Sequence, residues 1–285
     1  MSRFFEQTKK AQDWATRGLA SSDLDINRVV EAIHEADLAA PDVPASRFSN
    51  ARRIHLSSDS QAPLLLQEHV SKALAGESYR ALRTRLMRLQ VKRGLRSIII
   101  SSSLPGEGKT LTTMNLALSY ANLTGVSVLV IDGDLRLGGL SRLLGKPEGP
   151  GLSEVLAGKV PFEDAILATD LPNLYAVSAG FRAGESAPEL YAGAHWKDFI
   201  GWCSESFKVI LVDAPSVLPL ADFDLMAAAC DGVLLVVRAL KTRREILRKV
   251  AGQVDPNKLL GVVYNATETR NQKPHEQYFG AEPKE

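Results

Sequence analysis

One stretch, Ser101-Ser-Ser-Leu-Pro-Gly-Glu-Gly-Lys-Thr110, constrains the fold more than any other. A strand pattern from Leu95 to Ile100 leads into it, and a helical pattern from Thr110 to Asn122 leads out. Strand, glycine-bearing turn and helix form the setting that a phosphate-binding loop requires. Gly106 and Gly108 take backbone angles closed to other residues and let main-chain N–H groups approach an anion. The helix start adds unpaired N–H donors and the positive end of a dipole. In this pattern Lys109 reaches the β/γ-phosphates and the Thr110 hydroxyl ligates Mg2+, with Glu107 and Leu111 in the same cradle. Ser103 stands where the strict pattern G-x-x-x-x-G-K-[ST] has glycine.

Further strand patterns follow at Val126–Ile131, Leu174–Val177, Val209–Val212, Val233–Val237 and Leu259–Tyr264. Helical patterns separate them, at Glu189–Ser204, Leu220–Ala229 and Thr242–Val254 among others. Alternation of this kind predicts an α/β fold, a mostly parallel sheet with helices on both faces, and a ligand site at the carboxyl ends of the strands. Two strands end in acids there, Asp132 with Asp134 and Asp213. A bound triphosphate needs Mg2+, which is held by one or two carboxylates, phosphates and water. The spacing of Asp132 and Asp134 points both one way on extended backbone. One then orders metal-bound water while the other takes a proton from a substrate hydroxyl.

Before the core, residues 1–38 read as a short helical docking extension, and 39–63, rich in Pro, Ser, Asp and Arg, as a mobile linker. The core is expected over 64–268 and a loose tail over 269–285. Glu77–Arg88 has one apolar helical face, Tyr79, Leu82, Leu86 and Leu89, and an excess of arginine on the remainder. The formal net charge of +1 points to no nucleic-acid partner. Cys203 and Cys230 lack disulfide or metal spacing and read as buried thiols. No signal-peptide core stands at the N-terminus, and no stretch approaches the ~18 apolar residues of a membrane span, so the chain is expected in the cytoplasm.

Ser103–Thr110, Val-Leu-Val-Ile-Asp-Gly-Asp-Leu-Arg (128–136) and Val-Ile-Leu-Val-Asp-Ala-Pro (209–215) resemble the Walker A, A′ and B motifs of bacterial tyrosine kinases of capsule and exopolysaccharide export. Glu77-Ser-Tyr-Arg-Ala-Leu-Arg-Thr84 is similar to that family's oligomerisation helix, and Leu-Leu-Gly-Val-Val-Tyr-Asn265 to its last strand. The resemblance spans roughly 75 to 265. It implies an ATP- and Mg2+-dependent protein-tyrosine kinase with Asp132 as proton acceptor and Asp134, Asp213 and Thr110 at the metal. Gly106–Leu111, Arg136 and Asn265 would border the nucleotide. It further implies a ring of subunits joined through Glu77, Arg80 and Arg83, protein tyrosine substrates, and a membrane-bound polysaccharide co-polymerase acting in trans at the inner face of the membrane. The tail offers one phosphate acceptor, Tyr278. Two other readings fit the loop: a nucleotide switch resembling MinD and ParA, and an ATP-bound regulator without transferase activity. Leu104 stands where the switch ATPases carry a signature lysine.

Overall fold

The computed structural model describes residues 47–56, 64, 74–180, 187–218 and 222–267. The N-terminal docking segment, the remainder of the linker, the tail and Tyr278 lie outside the described residues. Eight strands form one sheet: β1 (Arg52–Arg53), β2 (Ser97–Ser102), β3 (Val128–Asp132), β4 (Leu167–Ala168), β5 (Leu174–Val177), β6 (Val209–Asp213), β7 (Gly232–Arg238) and β8 (Leu259–Asn265). Their order is β1-β4-β5-β3-β6-β2-β7-β8, parallel at every pairing except β4 with β5.

The central strands carry short continuous apolar runs, Ile98–Ile100, Val128–Ile131, Val209–Val212 and Val233–Val237, because helices cover both faces. The alternation of the pleat divides each between two cores. Ile99, Leu129, Ile131, Ile210 and Val212 enter one core, whereas Ile98, Ile100, Val128, Val130 and Leu211 enter the other. Each such side chain, fully buried, contributes roughly 1.5–3 kcal/mol. The second core is closed by α1 (Leu74–Arg93), α2 (Lys109–Ala121) and α3 (Gly139–Leu143). The expected face of α1 packs inward: Leu86 is buried, and Tyr79, Leu82 and Leu89 lie partly buried against the core. The first core is closed by α4 (Leu152–Leu156), α5 (Ala187–Ala192), α6 (Ala194–Ser206), α7 (Asp222–Ala229) and α8 (Arg244–Ala251).

Two features depart from the sequence reading. Residues 47–56 are packed against the core where a mobile linker was expected. Phe48 is buried and stacks on Phe207 at 5.4 Å between ring centroids, while Arg47 lies over the Trp202 ring at 4.9 Å. β1 then adds to the sheet edge beside β4. A single aromatic anchor outweighs the polar composition around it. The helix expected over Glu189–Ser204 is two helices, because Gly193 takes an extended conformation between them. No helix among the described residues is long and apolar enough to cross a membrane.

Candidate active site

The phosphate loop connects β2 to α2. Gly106 and Gly108 adopt φ of 78° and 95°, left-handed angles that cost a side-chain-bearing residue energy. Gly108 has a second constraint. A Cβ there would fall 2.0 Å from Nδ2 of Asn265, whose amide donates to the Glu107 carbonyl at 3.0 Å. Asn265, expected beside the nucleotide, thus sits on the loop itself. The Glu107 carboxylate is buried and shapes the turn: it accepts the Leu104 N–H at 2.9 Å and the Thr242 hydroxyl. Serine hydroxyls fasten the loop's root to the end of β6, Ser101 donating to the Pro215 carbonyl at 2.6 Å and Ser102 lying 3.2 Å from Ser216.

The strand ends bring the three aspartates together. Asp132 and Asp213 are register partners on β3 and β6, and all three acids are buried. The Lys109 ammonium lies 3.2 Å from Asp134 Oδ2, 3.7 Å from Asp213 Oδ1 and 3.5 Å from the Thr110 hydroxyl. Leu111 follows, partly buried in the first turn of α2. Asp134 also accepts the Leu137 N–H at 3.1 Å, which holds the turn after β3.

Asp213 is under-satisfied. Neither carboxylate oxygen has a hydrogen bond of normal geometry. Burial pushes its pKa up to about 7, against the nearby Lys109 charge and Thr110 hydroxyl, which lower it. Lys109, at 3.7 Å, meets only part of what this buried carboxylate needs, which leaves its oxygens able to take a metal ion. Together with the hydroxyl of Thr110 and a second carboxylate at Asp134, this oxygen-only set fits Mg2+. The glycine-lined helix start fits the phosphates it would accompany.

Asp132 is held differently. Its Oδ2 accepts both the N–H and the hydroxyl of Ser141 at 2.6 Å, and its Oδ1 accepts the Asp134 N–H at 3.2 Å. Burial raises its pKa above the ordinary carboxylate range, while the bonds from Ser141 oppose the rise. Arg136, expected beside the nucleotide, pairs with buried Asp222 at 3.0 Å at the start of α7. Glu77 and Arg80 form an ion pair at 2.6 Å on the partly exposed surface of α1, whereas Arg83 turns inward and donates to the Ser119 carbonyl of α2.

Three participants escaped the sequence reading: Ser141, Asp222 and Tyr191. The Tyr191 hydroxyl donates to the Gly133 carbonyl at 2.7 Å, between the two aspartates of the turn. Serine after Gly138-Gly139 is a weak sign of a helix start, and an aromatic in an apolar helix carries no sign at all.

A parallel sheet whose second strand runs through a glycine-lined loop into a helix, with acids at the neighbouring strand ends, defines a P-loop nucleotide-binding protein. No family model matches the chain. It is 32% identical over 196 residues to the tyrosine-protein kinase YwqD of Bacillus subtilis, covering 68% of this chain and 82% of YwqD. It spans only 22% of the putative tyrosine-protein kinase AmsA of Erwinia amylovora, at 34% identity. Among solved structures, the chimerical protein CapA2B2 superposes with a TM-score of 0.67 at 25% identity, over 82% of this chain and 97% of that one. The cell division ATPase MinD of Pyrococcus furiosus gives 0.54 at 30% identity, over 62% and 74%. The chain belongs to the bacterial tyrosine-protein kinases.

Proposed function

We propose that the chain transfers the γ-phosphoryl group of Mg2+-ATP to protein tyrosines in support of capsule or exopolysaccharide export. The observation that carries this reading is Lys109, set between the acids of two strand ends with a buried, under-satisfied Asp213 beside it. When bound, Mg2+ neutralises phosphate charge and orients the nucleotide. The chain's residues supply the remainder. Main-chain N–H groups from Gly106 to Leu111 bind the phosphates, and Lys109 leaves its aspartates to meet them. Thr110, Asp134 and Asp213 hold the metal. Asn265 and the Glu107 carboxylate keep the loop in shape.

Asp132 is the acid that Lys109 does not touch, and burial raises its pKa above the ordinary carboxylate range, which strengthens it as a proton acceptor. Accepting the tyrosine proton on Oδ2 replaces one of its bonds from Ser141. Burial keeps it out of bulk water, so the tyrosine must enter the crevice. Family membership also supports assembly of subunits through Glu77, Arg80 and Arg83 and a membrane-bound co-polymerase as activator, and Tyr278 is the acceptor the tail offers. The likeness to MinD keeps a nucleotide switch as the second reading, with Leu104 in place of the signature lysine against it.

The test is incubation of the full chain with Mg2+-ATP, with and without a tyrosine-containing protein substrate, followed by phosphotyrosine mapping. Lys109→Met is expected to bring phosphotyrosine to background while leaving the melting temperature close to wild type. Phosphotyrosine at the wild-type level in that variant would overturn the assignment.

A further inference from the structure

The connection after β7 carries a charge pattern that the phosphate site does not use. Lys241, Arg243, Arg244, Arg248 and Lys249 are exposed, with Glu245 the one acid among them. Among the described residues, no ion pair or side-chain hydrogen bond holds any of these five cations. A solvated helix face accounts for Arg248 and Lys249, but not for the tip. Leu240 is 87% exposed at φ 62°. That left-handed angle is unfavourable for a bulky side chain, so a strained apolar residue is held in solvent among the cations.

The tip borders the site. β7 pairs with β2 as far as Val236 opposite Ser102, so this connection and the phosphate loop leave the sheet at the same level. The Thr242 hydroxyl donates to Glu107 of the phosphate loop, and the Ala239 N–H donates to the Asn265 carbonyl at 2.9 Å. Thr242 therefore fastens the tip inward while Lys241 and Arg243 on either side stay exposed.

We propose that this rim binds the acidic flank of a tyrosine-bearing protein segment, with Leu240 meeting an apolar side chain near the tyrosine. The proposal rests on the kinase reading and names its substrate class. A tyrosine bound for the crevice approaches three buried aspartates and a triphosphate, which repel an acidic segment. Cations on the outer rim offset that repulsion, and they raise the encounter rate of an acidic partner in a salt-dependent way. A bilayer resting on the same rim would cover the mouth through which the tyrosine enters, which favours a peptide over a lipid surface.

The experiment uses the full chain and short fluorescein-labelled peptides with a central tyrosine flanked by Glu or, in the matched control, by Gln. Anisotropy titration is expected to show the Glu peptide bound about tenfold more tightly, with the preference shrinking at roughly 0.5 M salt. The triple variant Lys241→Glu, Arg243→Glu, Arg244→Glu is expected to lose that preference and keep nucleotide binding, which reports an intact fold. Leu240→Asn suits the backbone angle and is expected to weaken both peptides alike. Equal binding of the two peptides, or a preference that survives charge reversal, would overturn the proposal. So would a charge-reversed variant that loses phosphatidylserine vesicles but not peptide. The same peptides, offered as substrates with Mg2+-ATP, separate the two claims. A Glu peptide that binds with preference but never gains phosphate, even with membranes carrying the co-polymerase, contradicts the kinase reading alone. Both peptides phosphorylated with one KM contradict the rim alone.

Discussion

The backbone N–H of Gly133 donates to the carbonyl oxygen of Asp213 at 2.8 Å. This bond crosses from the turn that carries Asp132 and Asp134 to the strand end that carries Asp213. The Gly133 carbonyl is held in turn by the Tyr191 hydroxyl. The peptide groups on either side of the Gly133 Cα are therefore both fixed, and with them the spacing of the three acids.

Gly133→Ala is expected to break that arrangement. The added Cβ would meet the Met226 methyl at 2.3 Å and the Asp213 carbonyl oxygen at 3.1 Å. The methionine can swing aside, but the backbone oxygen cannot. Overpacking of this kind costs roughly 1–3 kcal/mol, so a lower melting temperature should accompany a fall in phosphotyrosine formation.

Tyr191→Phe keeps the ring packed edge-on against Trp196, at 5.3 Å between centroids, and removes only the hydroxyl. The Gly133 carbonyl then lies buried with one partner fewer, which costs about 1–3 kcal/mol. Steady-state kinetics should show kcat falling more than KM for ATP rises, because the loosened turn carries Asp132 while the phosphate loop is untouched.

Asp213 predicts a pH dependence. Its pKa, pushed up to about 7 by burial, lies above the ~3.9 of an unfolded aspartate. The folded chain then holds the proton more tightly than the unfolded chain, so ligand-free stability falls as pH rises from about 4 to 7. Thermal melts without nucleotide should show that fall, and Asp213→Asn should make it shallower, leaving the share due to Asp132, while abolishing stabilisation by Mg2+-ATP. An unchanged pH profile in the variant would remove Asp213 as its source.

The three residues of the proposed assembly motif on α1 should separate. Glu77 and Arg80 have side chains 43% and 37% exposed, whereas Arg83 binds the Ser119 carbonyl inside its own subunit. Glu77→Ala with Arg80→Ala should change stability by under about 1 kcal/mol and reduce the assembled mass measured by light scattering. Arg83→Ala should lower the melting temperature as well, because it also unpins α1 from α2.

The central strands and the phosphate loop were legible because both are local statements. A strand buried on two faces must be apolar throughout, and an anion-binding turn must carry glycine before a helix. The acids at the ends of β3 and β6 follow from the same logic, since a parallel sheet delivers its carboxyl ends to one crevice. Contacts made across the sheet were not legible. Phe48 lies in a polar stretch, and nothing nearby reveals that Phe207 and Tyr175 wait for it. Two-residue strands such as β1 and β4 are too short for any period to register. Arg136 carries the expected motif but spends its charge on Asp222, a residue 86 positions away. Tyr264 falls within β8 as the apolar run implies, and the edge position leaves it 63% exposed.

The most direct measurement follows ADP release and phosphotyrosine formation in one reaction of the wild-type chain with Mg2+-ATP and a tyrosine-bearing substrate, repeated in the presence of membranes carrying the co-polymerase. The kinase reading predicts phosphotyrosine that rises in step with ADP and is lost in Asp132→Asn. ADP accumulating without phosphotyrosine under both conditions would contradict it and establish a nucleotide switch.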